Sequence, residues 1–213
     1  MIKVEYFTFN PLAENTYVLS NEKRAAVIID PGCYFSEEEK ILKNYIDEHS
    51  LKPVQLLNTH CHLDHVFGNN WVHKNYSLEL YIHKDEQPVL EFAPAVATMY
   101  GLGFTNYSGA FHYLKEGDEV FLGNDILKVL FTPGHSPASI CFYCPAQNFV
   151  IGGDVLFNES IGRFDLPGGN EEVLYKSIRE KLYVLPDTTI VYPGHGEPTT
   201  IGHEKKYNPF VNA

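Results

Sequence analysis

The chain has 213 residues, of which 44% are hydrophobic and 14% aromatic, and its net charge is -11. That composition builds a buried core and excludes disorder. The acidic balance excludes a surface made to hold phosphate backbones, which depends on Lys and Arg, and leaves small molecules as the better substrate class.

The opening residues, MIKVEYFTFNPLAENTYVL, lack the basic start and long apolar run of a signal peptide. Strand-like runs come first, at Val4–Phe9, Thr16–Ser20 and Ala25–Asp30. The apolar Ala25-Ala26-Val27-Ile28-Ile29 predicts a strand buried on both faces, ended by the turn Asp30-Pro31-Gly32. Ser36 followed by Glu37, Glu38 and Glu39 reads as a helix cap with an acidic first turn. Ile41, Leu42, Tyr45 and Ile46 give that helix its apolar face. Val54–Leu57 is a second buried strand that feeds into Asn58-Thr59-His60-Cys61-His62-Leu63-Asp64-His65. Val66–Asn75 is expected to be helical and Leu78–Ile82 a strand. Residues 84–112 mix prolines, glycines and aromatics, and are expected to form a helix or two with loops, as a pocket wall or lid.

The second half repeats this style. Hairpins are expected for Glu119–Leu122 with Ile126–Phe131 and for Ser139–Tyr143 with Phe149–Ile151, then a helix over Glu171–Leu182 and a strand over Thr189–Tyr192. The pattern predicts an α/β fold, with two mixed sheets face to face and helices on the outer faces, in one domain over residues 1–213. No stretch approaches the roughly 18 apolar residues of a membrane span. Four cysteines do not make a disulfide scaffold in a chain this long, so the cytoplasm is the expected setting. No membrane or nucleic-acid partner is expected, and nothing in the sequence specifies an oligomeric state.

His60-x-His62 follows a strand, and a period of two points both imidazoles the same way, so they can share one ion. Asp64 and His65 come as the chain turns into the next helix, where they could face a second ion. Taken alone, the stretch also fits an Asp64 helix cap among polar loop histidines. Three further strand ends add candidates. His135 lies in Thr132-Pro133-Gly134-His135-Ser136, Asp154 follows Gly152-Gly153, and His195 lies in Tyr192-Pro193-Gly194-His195-Gly196. In each, glycine lets the backbone bend close, and strand ends are where sheets gather a site.

The ordered set His60, His62, Asp64, His65, His135, Asp154, His195 resembles the metallo-β-lactamase superfamily, over nearly the whole chain from Asp30-Pro31-Gly32 to His195. Phe9-Asn10 with Glu14-Asn15-Thr16-Tyr17, the run from Ser160 to Gly169, and the ending from Gly194 to Thr200 through Tyr207-Asn208-Pro209-Phe210 resemble its compact bacterial glyoxalase II-like branch. The resemblance implies an αββα sandwich. It also implies His60, His62 and His135 on one divalent ion, Asp64, His65 and His195 on a second, and Asp154 bridging. Asp30 is either an orienting residue behind these ligands or a plain turn aspartate. Zn is the first expectation for the two ions, with Fe or Mn also suited to such donors.

Two ions sharing a carboxylate can share a water whose pKa falls toward ~7, giving a bridging hydroxide nucleophile with Asp64 and Asp154 as the catalytic carboxylates. A thiol of pKa near ~8.5 departs as thiolate without acid help. No motif supplies a general acid for an amine, which favours a small-molecule thioester. The resemblance points the same way, to S-lactoylglutathione or a related acyl-thiol giving carboxylate and thiol. Arg163 is expected to pair with a substrate carboxylate by bidentate hydrogen bonds.

Full-length glyoxalase II enzymes carry a C-terminal helical region that helps bind glutathione, and little chain follows His195. Residues 84–112 and Arg163 would then supply the thiol-side contacts, or the thioester is a different one. One alternative in the same superfamily is a mononuclear iron persulfide dioxygenase using only His60, His135 and Asp154. Another is hydrolysis of a different ester or a lactone. A β-lactamase fits less well, because an aspartate at the Asp154 position resembles the thioesterase side, and the acidic balance argues against a nuclease. Cys141-x-x-Cys144 fits buried structural thiols better than a redox pair. Alternation turns Cys61 away from His60 and His62. Tyr107 and Phe111 are candidates for pocket or core.

Overall fold

The computed structural model describes residues 1–212. Its first sheet holds β1 (Lys3–Phe9), β2 (Glu14–Ser20), β3 (Ala25–Ile29), β4 (Lys52–Leu57), β5 (Leu80–His83) and β6 (Phe111–Leu114), side by side in chain order. β1, β2 and β3 are antiparallel neighbours, whereas β3 to β6 run parallel. Parallel neighbours need crossovers. These are α1 (Ser36–Glu48), then α2 (Leu63–Val66) with α3 (Asn69–Tyr76), then α4 (Gln87–Met99). The second half gives β7 (Glu119–Leu122), β8 (Asp125–Phe131), β9 (Ile140–Cys144) and β10 (Phe149–Gly153). A small hairpin of β11 (Leu156–Phe157) and β12 (Ser160–Ile161) comes next. α5 (Glu171–Ser177) continues in wider, π-type turns over Ile178–Leu182, before β13 (Ile190–Pro193), β14 (Thr199–Thr200) and α6 (Ile201–Tyr207). The second sheet is ordered β14-β13-β10-β9-β8-β7, with β10 and β13 parallel.

Strand alternation sorts the apolar side chains into three cores. Val27 and Ile29 of β3 pack between the sheets with Leu57, Leu127, Val129, Phe142 and Ile151. Ala26 and Ile28 face the other way, in one cluster with Leu42 and Ile46 of α1 and Leu90 and Ala93 of α4. The second sheet turns Cys141, Val150 and Val191 outward against Leu174, Ile178 and Leu182. Two covered faces explain why Ala25–Ile29 is apolar without alternation. The αββα sandwich is thus present, with two mixed sheets inside and helices outside.

Several local expectations change. Ser36 is the first helical residue rather than the cap. Phe35 holds the cap position, and the Glu38 carboxylate accepts the N–H groups of Tyr34, Phe35 and Asn10 at 2.8, 3.0 and 2.7 Å. The helix expected over Val66–Asn75 is two helices, broken between Val66 and Asn69. Gly68 N–H donates to Pro31 O at 2.7 Å, and a Cβ there would strike the Cys33 thiol, so the chain is pinned to the turn after β3. Within 84–112, Phe111 begins β6, a strand that composition did not reveal. Tyr107 is core: its hydroxyl accepts from Leu80 N–H at 3.0 Å and donates to Ala110 O at 2.6 Å. Cys141 and Cys144 lie three apart on β9, one in the outer core and one between the sheets, so they cannot pair. No helix among the described residues is long and apolar enough to cross a membrane.

Candidate metal centre

Most of the candidate side chains arise where strands end, and Asp64 and His65 lie in α2. Asp30 follows β3, His60 and His62 follow β4, His135 follows β8, Asp154 follows β10, and His195 follows β13. Gly153 pairs with Pro193 across the parallel β10–β13 ladder, and Gly194 N–H donates to Gly153 O at 2.8 Å, which sets Asp154 beside His195. The start of β2 closes the site from the first sheet. Asn15 N–H donates to Gly194 O at 2.7 Å, and its side-chain amide donates to Pro193 O and Gly196 O at 3.1 and 2.8 Å.

The seven residues converge in two groups. His60, His62 and His135 bring one nitrogen each within 4.8 Å of one another, and an Asp64 carboxylate oxygen and one nitrogen each of His65 and His195 do the same. Asp154 lies between the groups. Its Oδ2 is 3.5 Å from His135 Nε2 and 3.5 Å from His195 Nε2, and its Oδ1 is 3.4 Å from His65 Nε2. Asp64 Oδ2 is 3.1 Å from His195 Nε2 and 3.7 Å from His65 Nε2.

Hydrogen bonds on the far side of each ring settle which nitrogen carries the proton. His135 Nδ1 donates to Arg163 O at 2.6 Å, and His195 Nδ1 to Ala13 O at 3.1 Å. His65 Nδ1 donates to Asp30 Oδ2 at 3.2 Å. Thr59 gives its own hydroxyl proton to Asp30 Oδ2 at 2.5 Å, so its oxygen accepts from His60 Nδ1 at 3.1 Å. Four imidazoles therefore turn Nε2 inward, and the lone pairs of His60 and His135 face each other at 3.2 Å. Lone pairs so placed repel unless a cation sits among them. His65 Nε2 and Asp154 Oδ1 are buried with no hydrogen-bond partner, although only 3.4 Å apart. This donor set fits divalent cations.

Electrostatics divides along the same line. Burial pushes the His60 and His135 imidazoles below their usual range, and His62 down to about 3, so all three offer neutral nitrogen. At His65 burial acts the same way, but the Asp154 and Asp64 carboxylates outweigh it and raise the pKa well above the ordinary value. His195 is raised for a similar reason. Burial works to raise Asp64 and Asp154, and the neighbouring imidazoles hold both below the usual carboxylate range. The Asp64 group thus carries the larger demand for positive charge.

Asp30 and His65 form a third potential cluster with His60, yet the Asp30 oxygens are already committed. They accept from Asn58 Nδ2 at 3.0 Å, Thr59 N–H at 2.7 Å, Thr59 Oγ1 and His65 Nδ1. Asp30 therefore orients the His65 ring and the Thr59 hydroxyl. Arg163 departs from expectation. Its Nε and Nη2 both donate to the Asp165 carboxylate at 2.8 Å, so its fork is closed on a neighbour, and what it gives the site is the carbonyl that holds His135. Cys61 is buried in the core cluster that α1 and α4 share, and it belongs to neither of the two groups.

Two buried carboxylates beside the site, Glu86 and Glu14, were not among its expected residues. Glu86 accepts from Cys61 N–H at 2.8 Å, Ser136 Oγ at 2.6 Å and Ala138 N–H at 2.8 Å, joining the loop of His60 and His62 to that of His135. Glu14 accepts from Thr16 Oγ1 at 3.0 Å and approaches His65 Nδ1 at 3.9 Å, and burial pushes its carboxyl well above the usual range. The signal for Glu14 lay in the Glu14–Tyr17 motif. Glu86, in the charged run Lys84-Asp85-Glu86, carried none.

Gly194 shows how closely the site is built, since a Cβ there would overlap Asp154 Oδ1 and crowd His65. Gly194→Ala is expected to reduce bound metal and to lower turnover at least tenfold, the scale set by displaced ligand supports. Metal analysis of the purified variant, beside its melting curve in chelator, checks this.

A cavity of about 520 Å³ opens over these side chains, in the size range of small-molecule sites. His62, Asp64, His135, Asp154 and His195 form its floor, and Val89, Phe92 and Val96 of α4 supply a wall. Residues 84–112 therefore contribute a pocket wall through the helix they contain.

Fold and donor set together define the metallo-hydrolase class. The chain belongs to the metallo-beta-lactamase superfamily, whose family model matches residues 9–195. It is 40% identical over 203 residues to the probable metallo-hydrolase YqgX of Bacillus subtilis, covering 95% of this chain and 94% of that one. It is 34% identical over 214 residues to the hydroxyacylglutathione hydrolase GloC of Haemophilus influenzae, covering 100% and 99%. Among solved structures, BLEG-1, described as a B3 metallo-beta-lactamase, matches with a TM-score of 0.91 at 36% identity, over 99% of this chain and 100% of that one. TTHA1623 in a di-iron-bound form matches with a TM-score of 0.87 at 37% identity, over 97% and 100%.

Proposed function

We propose that this protein is a cytoplasmic dinuclear metal-dependent hydrolase of small-molecule thioesters. The observation that carries this is Asp154, seated between two three-residue groups with an oxygen 3.4 to 3.5 Å from His65, His135 and His195. Such a carboxylate belongs between two cations. His60, His62 and His135 would hold one, and Asp64, His65 and His195 the other. Two divalent cations bound there supply a water acidified to near neutral pH and positive charge for the oxygen of an attacked carbonyl.

The chain's own part is placement. Asp30, Thr59, Arg163 O and Ala13 O fix the ring tautomers. The cavity walls, closing one side of the floor, hold the acyl carbon against it and limit water. No lysine is among the described residues lining the cavity and the Arg163 fork is engaged, which leaves the exposed Tyr100 phenol at the mouth as the proton donor for a departing amine. A thiol leaves as thiolate unaided. The kinship with GloC, named a hydroxyacylglutathione hydrolase, supports the same substrate class. Zn is the first expectation for both ions, and the di-iron form of TTHA1623 makes Fe a measured alternative in the test.

The test combines elemental analysis of the purified protein with three assays: S-lactoylglutathione hydrolysis, β-lactam opening, and oxygen uptake with glutathione persulfide. Two ions per chain with thioester turnover is the expected result. Turnover of a β-lactam or persulfide with thioesters left intact would replace this function by that one. Chelation is expected to abolish turnover and to lower stability, since ions bound at a thousandfold excess over Kd contribute about 4 kcal/mol each. For a chain this long that is a Tm decrease of about 8–16 °C per ion, read by calorimetry before and after metal is restored.

A further inference from the structure

The cavity over the metal-facing side chains has walls unlike its floor. α4 turns Val89, Phe92 and Val96 toward it, Leu12 reaches it from the turn between β1 and β2, and Leu166-Pro167 from the loop before α5. Phe92 is 52% exposed and Leu12 46%, so large apolar surface stands open at the mouth rather than being spent on a core. Arg163 is the one Lys or Arg among the described residues that line the cavity, and its guanidinium is bound on two nitrogens by Asp165. The net charge of -11 offers no compensating long-range attraction for an anion.

These facts discriminate between the two ends of a thioester. Peptide and nucleotide thiol carriers bear carboxylates or phosphates, and sites that recognise those use free Arg forks or Lys. The end that an apolar wall rewards is the acyl group. We infer that the α4 wall is an acyl-chain subsite, and that the preferred substrate is a thioester with an uncharged aliphatic or aryl acyl group whose thiol portion lies toward solvent. This rests on the thioester-hydrolase function proposed above and specifies its substrate. The subsite begins at the floor, where the carbonyl must lie, and runs outward along Val89, Val96 and Phe92.

The test takes the metal-loaded full chain and a series of S-acyl N-acetylcysteamines, whose thiol is small and neutral: acetyl, butyryl, hexanoyl and benzoyl, with S-lactoylglutathione beside them. kcat/KM is expected to rise about two- to fourfold for each methylene from acetyl to hexanoyl, the upper value being that of full burial. S-lactoylglutathione is expected to fall below the hexanoyl substrate. Phe92→Ser, at a half-exposed position with little packing to lose, is expected to cut the hexanoyl-to-acetyl ratio severalfold. A flat series, or S-lactoylglutathione outrunning hexanoyl, overturns the subsite while thioester hydrolysis stands.

A second readout needs no turnover. Affinity for the S-ethyl, S-butyl and S-hexyl thioethers of the same thiol, measured by calorimetry, is expected to rise with chain length and to lose that trend in Phe92→Ser. Length-ordered binding with no thioester hydrolysed keeps the apolar subsite and removes the thioesterase function. Neither binding order nor hydrolysis removes both.

Discussion

Asp154→Asn is expected to lower kcat/KM for thioester hydrolysis on the order of a thousandfold, the several kcal/mol that paired cations supply to a developing oxyanion. Bound metal should fall from about two ions per chain to one or fewer, on the proposal that a charged carboxylate bridges them. Asparagine keeps the shape and removes the charge, and its amide would turn a donor toward either His65 Nε2 or the His135 and His195 nitrogens. Those nitrogens are fixed inward by bonds on the far side of each ring, so they do not simply turn away. Metal analysis and steady-state kinetics read the result. Melting curves in chelator separate it from a folding defect. Full turnover with two ions in Asp154→Asn would remove this residue from the centre.

Much of this architecture was legible because chemistry and strand ends coincide. The apolar Ala25–Ile29 required cover on both faces, and the cores on either side of the first sheet supply it. His60, His62, His135, Asp154 and His195 each follow a strand, so a sandwich with those strands parallel or paired could bring them to one end. Alternation also kept Cys61 out of the ligand set, and its backbone N–H, not its thiol, is tied into the site through Glu86.

What stayed hidden depends on contacts between residues far apart in sequence. Phe111–Leu114 pairs only with β5, some thirty residues earlier, and its local composition gives no strand alternation. The break at Gly68 comes from Pro31 O, a partner no window around Val66–Asn75 contains. Arg163 was read as an open fork because the sequence cannot say whether a carboxylate two residues on will close it, as Asp165 does. Asn15 looked like part of a motif, but its work is to tie the first sheet to the His195 loop across 181 positions, at Gly196 O.

Glu86 tests that long-range organisation most sharply. It stands at the entrance to α4, and its carboxylate is the shared acceptor for the backbone beside His60 and His62 and for both Ser136 and Ala138 after His135. Glu86→Ala would strand two backbone N–H groups and a hydroxyl in a buried space, at about 1–3 kcal/mol for each unsatisfied group. A loss of about 3–5 kcal/mol is expected after partial relaxation, or a Tm lower by roughly 6–20 °C. Glu86→Gln separates packing from positioning. Burial already holds this carboxyl above its usual range, so removing the charge relieves part of the cost of burying it. The amide keeps one acceptor oxygen and turns its NH2 toward at least one of the three donors, so Glu86→Gln should melt between the parent and Glu86→Ala while its loops lose their common anchor. Metal affinity is then expected to fall about 10- to 100-fold, as when supports of ligating residues are removed. Competition with a chromophoric chelator measures that directly. An unchanged metal affinity in a well-folded Glu86→Gln would confine Glu86 to stability. A weakened one would make it the residue that sets the spacing between the His62 and His135 nitrogens, now 2.8 Å apart.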